Sequence, residues 1–188
     1  MKIQIIIGST RPIRVGPQIA RWMIRHLPQD PTVEYEVIDL FDIDLPLFNE
    51  PAHPVHNHYT HDHTKNWSEK ISQGDAYIFL APEYNAGYTA ALKNAIDYLF
   101  HEWQKKPVMI ASYGARGGLS ASAQLQAVVE RLTMRPTQTS PAFTILRESG
   151  ETGQIRDIET SFAPYVGELE TAGQELIELV TSPQVLTI

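Results

Sequence analysis

The sequence contains no cysteine among its 188 residues. That absence excludes disulfide bonds, thiolate nucleophiles and zinc or iron–sulfur centres ligated by cysteine. Long apolar runs are also missing. The longest run near the N-terminus, Ile3 to Ile7, is too short for the hydrophobic region of a signal peptide, and Gly8 and Ser9 follow it at once. We therefore expect a cytoplasmic protein with no membrane association.

Positive charge is in deficit as well. The chain has 15 lysines and arginines against 22 aspartates and glutamates, which gives a net charge of −7. This balance offers no electrostatic surface for nucleic acid or for an anionic membrane. The apolar fraction of 43% and the charged fraction of 20% are typical of globular proteins. The length suits one domain, residues 1–188, and small molecules are the expected partners.

Apolar segments of strand length alternate with amphipathic segments of helix length, which predicts βαβ units. The predicted strands are Lys2–Ile7, Glu34–Leu40, Ala76–Ala81, Val108–Tyr113 and Thr137–Leu146. The predicted helices are Pro17–Leu27, Thr64–Gln73, Thr89–Glu102, Leu119–Leu132 and Ile158–Val180. The fold class is therefore α/β, a doubly wound three-layer sandwich whose five-stranded parallel sheet has helices on both faces. In such folds the ligand lies beyond the carboxyl ends of the strands.

The chain between the first strand and the first helix, Gly8 to Gly16, has the composition of an anion site. Backbone N–H groups, the positive end of the helix, the Ser9 hydroxyl and the Arg11 guanidinium would all point at a phosphate. The segment has neither the Walker A pattern nor the G-x-G-x-x-G pattern of dinucleotide-binding turns. A terminal monophosphate fits it better. The alternative is an ordinary polar loop with a solvated arginine.

Two further segments follow the third and fourth strands, Ala81 to Tyr88 and Ser112 to Gly118. The first offers aromatic faces beside backbone donors, and the second offers glycine N–H groups that a planar ring can approach. A flavin needs an apolar surface against its rings and N–H donors near its pyrimidine edge. The alternative is that the glycines serve only the turn and the tyrosines only pack.

Five short motifs follow one another along the chain: Gly8-Ser9-Thr10-Arg11, Leu45-Pro46-Leu47-Phe48, Pro82-Glu83-Tyr84-Asn85, Leu92-Lys93-Asn94-Ala95-Ile96-Asp97, and Ser112-Tyr113-Gly114 with Gly117-Gly118. In this order they resemble the NADPH-dependent FMN reductase family, which includes azo, chromate and quinone reductases of flavodoxin-like fold. The resemblance implies bound FMN and hydride transfer from NADPH or NADH through FMN to a small acceptor. That acceptor is a quinone, an azo compound, a metal oxyanion or free flavin. The resemblance also implies a homodimer or homotetramer.

The resemblance assigns two groups of cofactor-binding residues. Those implied to hold the FMN phosphate are Ser9, Arg11, Arg14, Val15, Gly16 and Pro17, and those implied to hold the isoalloxazine ring are Pro82, Glu83, Tyr84, Asn85, Tyr113, Gly114, Gly117 and Gly118. The sequence departs from the family pattern at Arg14 and Gly16, where serine and asparagine are common. No residue is implied to be catalytic in the narrow sense, because hydride transfer to a flavin depends on positioning.

Two other functions remain open at this point. One is a non-enzymatic electron carrier like flavodoxin, and the other is a flavin-binding regulatory protein. The first loop speaks against the carrier, because flavodoxins have a Thr/Ser-rich loop where this chain has Arg11 and Arg14.

Several conspicuous residues have plainer interpretations. Lys93 and Asp97 are spaced as a surface helix pair, although the resemblance would put their helix at a subunit interface. Met109 and Met134 are expected to pack in the core. The long connection 41–63 carries five histidines without a ligand pattern that compels a metal site: His53, His56, His58, His61 and His63. A lid or a subunit contact is the preferred interpretation of this segment.

Overall fold

The computed structural model describes residues 1–182 of the chain, so residues 183–188 of the predicted domain lie outside it. The strands are β1 (Lys2–Ile7), β2 (Glu34–Asp39), β3 (Ala76–Pro82), β4 (Pro107–Gly114), β5 (Arg135–Pro136) and β6 (Ala142–Thr144). They form one parallel sheet in the order β2-β1-β3-β4-β5, with β6 also pairing with β4. The predicted doubly wound α/β fold is confirmed.

The helices connect these strands. They are α1 (Gly16–His26), α2 (Leu40–Ile43), α3 (Asp62–Ser72), α4 (Ala90–Asp97), α5 (Leu119–Arg131), α6 (Arg147–Thr152), α7 (Ile158–Phe162) and α8 (Val166–Thr181), with 3-10 turns at Pro54–His56 and Ala163–Tyr165. Each of the five predicted helices therefore has a counterpart. No helix within the described residues 1–182 is long and apolar enough to cross a membrane.

The central strands β1, β3 and β4 are buried on both faces, as their apolar composition requires. Alternate residues of β1 point to opposite sides, with Ile5 and Ile7 in one cluster and Ile6 in the other. Helices α1 and α8 cover the first face, and α3, α4 and α5 cover the second. Met109 and Met134 are buried, which confirms them as packing residues. Lys93 and Asp97 form the expected ion pair on the surface of α4.

The order of strands creates a switch point. Strand β1 lies between β2 and β3, so the chain leaves β1 toward one side of the sheet and leaves β3 toward the other. The crevice between these departures is where doubly wound proteins bind ligands. Here the Thr89 hydroxyl spans it, donating to the carbonyl of Gly8 and capping the first turn of α4 at Leu92 N–H.

The predicted fifth strand, Thr137–Leu146, is wrong in detail. Only Ala142–Thr144 of this stretch is a strand, β6, and the short β5 precedes it at Arg135–Pro136. A continuous ladder is not possible here because Pro136 and Pro141 lack the N–H that it needs. Both pieces still bond to β4: the Thr137 N–H donates to the Val108 carbonyl at 2.9 Å, and the Ser112 N–H donates to the Pro141 carbonyl at 2.9 Å. Two short strands, β5 and β6, thus share the fifth position of the sheet beside β4.

Two predicted helices also end differently. The predicted helix Ile158–Val180 is interrupted by the 3-10 turn that contains Pro164, which gives α7 and α8. The predicted helix Thr89–Glu102 ends at Asp97 and continues as turns. Helix α6 was not predicted at all.

The histidine-rich connection is held against the body of the domain. The buried Glu50 carboxylate accepts the N–H groups of Thr60 and His61 at 2.8 and 3.0 Å. Although burial opposes ionisation, these bonds and the Thr64 hydroxyl lower the pKa of Glu50 to about 2. The Asn94 amide also donates to the Pro46 carbonyl at 2.7 Å. These contacts favour a fixed wall over a lid, and within residues 1–182 the histidines, aspartates and glutamates form no cluster suited to a metal ion.

Candidate functional site

The loop between β1 and α1, residues 8–15, is here called the first loop. It leads into helix α1, which has no N-cap: no side chain among the described residues caps the helix at Val15, and the first turn of α1 contains no acidic residue. Pro17 lies in that turn, as the sequence predicts. From Thr10 to Gly16 no backbone N–H donates to an acceptor within residues 1–182. The positive end of the helix and a set of free donors therefore meet at one place.

Two hydroxyl groups lie under this helix end without partners. Ser9 is 1% exposed and Tyr113 is 3% exposed. The Ser9 Oγ and the Tyr113 hydroxyl have no hydrogen-bond partner elsewhere among the described residues, and the two lie beside each other, so that Ser9 opposes the rise that burial causes in the pKa of Tyr113. Buried hydroxyl groups are almost always bonded, so an unpaired pair at a helix end indicates that a ligand supplies the missing acceptor. Burial also raises the pKa of Tyr113, which keeps its proton available for donation.

Gly16 makes room for both hydroxyl groups. A Cβ atom at Gly16 would lie 2.6 Å from the Ser9 Oγ and 3.0 Å from the Tyr113 hydroxyl oxygen, and 2.8 Å from a methyl group of Ile7. A larger residue would thus displace the serine that the helix end requires. In this chain, the tyrosine and serine packed beneath position 16 thus require a glycine there.

The two arginines of the first loop differ sharply. Arg14 forms an ion pair and a cation–π contact within the protein. Its Nη2 lies 2.9 Å from the Asp39 Oδ2, and its guanidinium lies 4.9 Å from the centre of the Phe41 ring. Both charged side chains are mostly buried, at 12% and 14% exposed. Arg11 is exposed, donates to the Gly150 carbonyl at 3.3 Å and lies beside the Tyr84 side chain, with no carboxylate partner among the described residues. Arg11 is therefore the arginine free to meet an anion, and Arg14 ties the first loop to the end of β2.

The loop between β3 and α4, residues 83–89, is here called the third loop. Tyr84 and Gly87 exchange backbone hydrogen bonds at 2.8 and 3.1 Å across Asn85 and Ala86, whose φ angles are 51° and 61°. This is the geometry of a type I′ turn, for which asparagine is well suited. Burial raises the pKa of Tyr84, whereas the neighbouring Arg11 and Arg14 oppose that rise. The third loop is thus next to the cations of the first loop.

Two predicted residues at the base of this loop have structural roles. Pro82 ends β3 and is buried opposite Tyr113 of β4. The Glu83 N–H donates to the Tyr113 carbonyl at 2.9 Å, and the Glu83 carboxylate accepts the Ser120 N–H at 2.9 Å. Glu83 is therefore a cap for the start of α5 and joins the third loop to the fourth.

The loop between β4 and α5, residues 115–118, is here called the fourth loop. Gly117 and Gly118 have φ angles of 72° and 73°. A Cβ atom at Gly118 would lie 2.8 Å from the Tyr113 backbone nitrogen, and one at Gly117 would lie 3.1 Å from Ala142. Both glycines are therefore required by the turn itself, whatever approaches the loop. Gly114 accepts the N–H groups of Gly117 and Ile145, while those of Ala115 and Arg116 donate to no acceptor within the described residues.

The three loops lie on one edge of the sheet, as predicted. The direction of the Tyr113 side chain, however, differs from the one that its motif suggests. Tyr113, which the family pattern groups with the ring loops, points instead under the first loop. The two-residue alternation of β4 is the signal for this, since Met109, Ala111 and Tyr113 share the face that α1 covers. Asp39, the partner of Arg14, was not predicted, although its position after β2 puts a carboxylate at the same edge.

Comparison with known proteins decides the family. The model of the NADPH-dependent FMN reductase family matches residues 1–145 of the chain. The chain belongs to this family. It is 40% identical over 183 residues to an NAD(P)H-dependent FMN reductase of Schizosaccharomyces pombe, covering 96% of this chain and 91% of the relative. It is also 28% identical over 148 residues to a quinone reductase of Pseudomonas putida, covering 75% and 76% of the two chains.

Solved structures support the fold of this FMN reductase family member. A flavoenzyme NAD(P)H:(acceptor) oxidoreductase of Paracoccus denitrificans superposes with a TM-score of 0.72 at 19% identity, covering 94% of this chain and 97% of the other. The predicted flavodoxin-like fold and the predicted FMN reductase family are confirmed. Through the family, so are an NAD(P)H-dependent oxidoreductase activity and FMN as its cofactor.

Proposed function

We propose that the first loop and the start of α1 hold the FMN phosphate, with the Ser9 hydroxyl and the backbone N–H groups of residues 10, 11 and 13–16 as donors. The single observation that carries this is the buried, unpartnered Ser9 Oγ at an uncapped helix end. Arg11 adds a charge-assisted contact from the solvent side. Val15, Gly16 and Pro17 contribute backbone and shape. Arg14 acts through Asp39 as a positioning residue.

The Tyr113 hydroxyl extends this donor set. Tyr113 is buried, and its hydroxyl lies near the Ser9 Oγ, since a Cβ atom at Gly16 would be within 3.0 Å of both. A phenol held neutral by its burial can donate to a phosphate oxygen directly or support the serine that does so. The pocket fits a dianion because it contains helix-end and hydroxyl donors and the exposed Arg11, while the nearby Asp39 and Glu83 carboxylates are bonded to Arg14 and to the Ser120 N–H.

The third and fourth loops hold the isoalloxazine in this proposal. Tyr84 and Asn85 offer a partly exposed surface beside the first loop, and Tyr84 is 39% exposed. Gly114, Gly117 and Gly118 shape the fourth loop, in which the N–H groups of Ala115 and Arg116 have no acceptor among the described residues. Fixed N–H dipoles of this kind stabilise negative charge near a reduced flavin. Pro82 and Glu83 hold the two loops in register.

When bound, FMN supplies the capacity to take a hydride from NADPH or NADH and to pass reducing equivalents onward. The chain supplies position: no proton transfer by a side chain is needed. The acceptor is a small molecule such as a quinone, an azo compound, a metal oxyanion or free flavin, because an open site over a planar ring selects weakly by shape. We also propose that residues 1–188 form one cytoplasmic domain that assembles as a homodimer or homotetramer.

Titration with three flavins tests the proposed site. FMN, riboflavin and FAD are titrated separately into cofactor-free protein, and binding is followed by quenching of flavin fluorescence. FMN should bind at least about tenfold more tightly than riboflavin, since charge-assisted hydrogen bonds contribute about 1.5–3 kcal/mol. It should also bind more tightly than FAD, because the first loop lacks a dinucleotide pattern. Equal affinity for FMN and riboflavin would show that the phosphate does not bind to this loop.

A further inference from the structure

The chain beyond the family match folds back onto the first loop. The match ends at residue 145, and residues 147–157, here called the 147–157 segment, contain α6 and the turn that follows it. Arg11 Nη2 donates to the Gly150 carbonyl of this segment at 3.3 Å. The segment therefore reaches the arginine that the proposed function assigns to the phosphate.

A closer contact lies at Gly153. Its φ angle is +72°, and a Cβ atom there would lie 2.9 Å from a methyl group of Ile13 and 3.1 Å from the backbone nitrogen of Arg14. Only glycine lets the turn after α6 come this near to the first loop. The nitrogen it approaches belongs to the set of N–H groups without acceptors within the described residues.

The segment is also tied to the first turn of α1. The Gln18 side-chain amide donates to the Ile155 carbonyl at 2.8 Å and accepts the Ile155 N–H at 2.8 Å. Ile155 itself is buried in the core cluster that α1 and α8 share. This reciprocal pair joins residues 137 positions apart and anchors the far end of the segment.

These contacts restrain the shape of the first loop. A loop that keeps its N–H groups free for a ligand cannot use them to fix its own shape, so another part of the chain has to restrain it. The 147–157 segment contacts the loop at Arg11, at Ile13 and Arg14, and at the helix start through Gln18. Small displacements of donors weaken hydrogen bonds to a bound anion steeply.

We propose that the 147–157 segment is the outer wall of the phosphate pocket, and that Gly153 and Gln18 are positioning residues that set the affinity for the phosphate group without touching it. The proposal rests on the proposed function of the first loop. It extends the site to a stretch of chain that the family match does not include.

The test compares FMN with riboflavin, which lacks only the phosphate. Two variants disturb the wall: Gly153→Ala presses a methyl group against the first loop, and Gln18→Leu removes both hydrogen bonds to Ile155 while leaving Gly153 in place. Gly167→Ala is the matched control, because Gly167 lies in α8 outside the 147–157 segment and a Cβ atom there meets nothing within 4 Å. Thermal melting of each cofactor-free variant is measured separately.

The readout is the ratio of the riboflavin to the FMN dissociation constant. It should fall about fivefold or more in Gly153→Ala and Gln18→Leu, the loss expected for one ordinary hydrogen bond, and should change less than about twofold in Gly167→Ala. A general loss of structure lowers both affinities and leaves the ratio unchanged. If Gly153→Ala does not fold, Gln18→Leu decides alone.

An unchanged ratio in a folded Gln18→Leu variant would overturn the wall proposal while leaving the phosphate site intact. A wild-type protein that binds both flavins equally would instead contradict the phosphate site itself, and the proposal would fail with its premise.

Discussion

Replacing Ser9 by alanine should change stability and binding in opposite directions. In the cofactor-free protein the Ser9 hydroxyl is buried without a partner among the described residues, and such a group costs about 1–3 kcal/mol of folding free energy. Removing it should leave the free energy of unfolding unchanged or raise it by up to about 1 kcal/mol, since the alanine forgoes only a small packing contact.

The affinity for FMN, in contrast, should fall. A hydrogen bond to a charged group contributes about 1.5–3 kcal/mol, so Ser9→Ala should weaken FMN binding by about 10- to 150-fold. Riboflavin binding should hardly change. Urea unfolding of the cofactor-free protein gives the first quantity, and flavin fluorescence quenching gives the second.

Ser112→Ala is the matched control. Ser112 is also a buried serine near the carboxyl end of a central strand, but its hydroxyl donates to the Gly117 carbonyl at 2.7 Å. Losing that bond should destabilise the protein by about 1–3 kcal/mol and should leave the ratio of FMN to riboflavin affinity unchanged. A Ser9→Ala protein that is less stable without cofactor and binds FMN as before would refute the reasoning, because the hydroxyl would then serve the fold alone.

Two further predictions concern the surroundings of the site. Gly118→Ala should lower the free energy of unfolding by more than about 1 kcal/mol, because its φ is +73° and its Cβ would lie 2.8 Å from the Tyr113 nitrogen; equal melting of this variant and Gly167→Ala would contradict that. Glu50→Gln should melt below the wild type at about pH 6. The folded-state pKa of Glu50 is lowered from 4.5 to about 2, so its stabilisation is complete above the unfolded pKa and is lost as pH falls toward 2. The difference in melting temperature should therefore shrink on acidification, and a difference independent of pH would count against an ionised Glu50.

The sequence predicts the layers and the edge of the sheet that carries the site, because buried parallel strands leave an unambiguous apolar pattern. It predicts side-chain direction less well. Tyr113 follows a strand in a glycine-rich motif, which suggests a ring contact, yet the register of β4 turns its hydroxyl toward α1. Pro141 lies inside the predicted strand Thr137–Leu146 and lacks the N–H of a ladder, so the sequence itself indicates that this strand is shorter than its β-rich composition suggests.

Contacts between residues far apart in the chain could not be predicted from the sequence. The pairing of Gln18 with Ile155 depends on how the chain after β6 packs, and no local pattern encodes a contact over 137 positions. The ion pair between Arg14 and Asp39 is similar in kind, since it depends on two loop geometries at once. Both contacts emerge only from the packed fold.

The most direct test of the account is the visible absorption spectrum of the purified protein loaded with FMN and freed of excess flavin, recorded without oxygen before and after addition of NADPH. We expect FMN to stay with the protein through gel filtration, its visible band to bleach with NADPH, and the band to return when a quinone is added. Loss of FMN on the column, or a band that neither NADPH nor NADH bleaches, would contradict an FMN reductase built on this edge of the sheet.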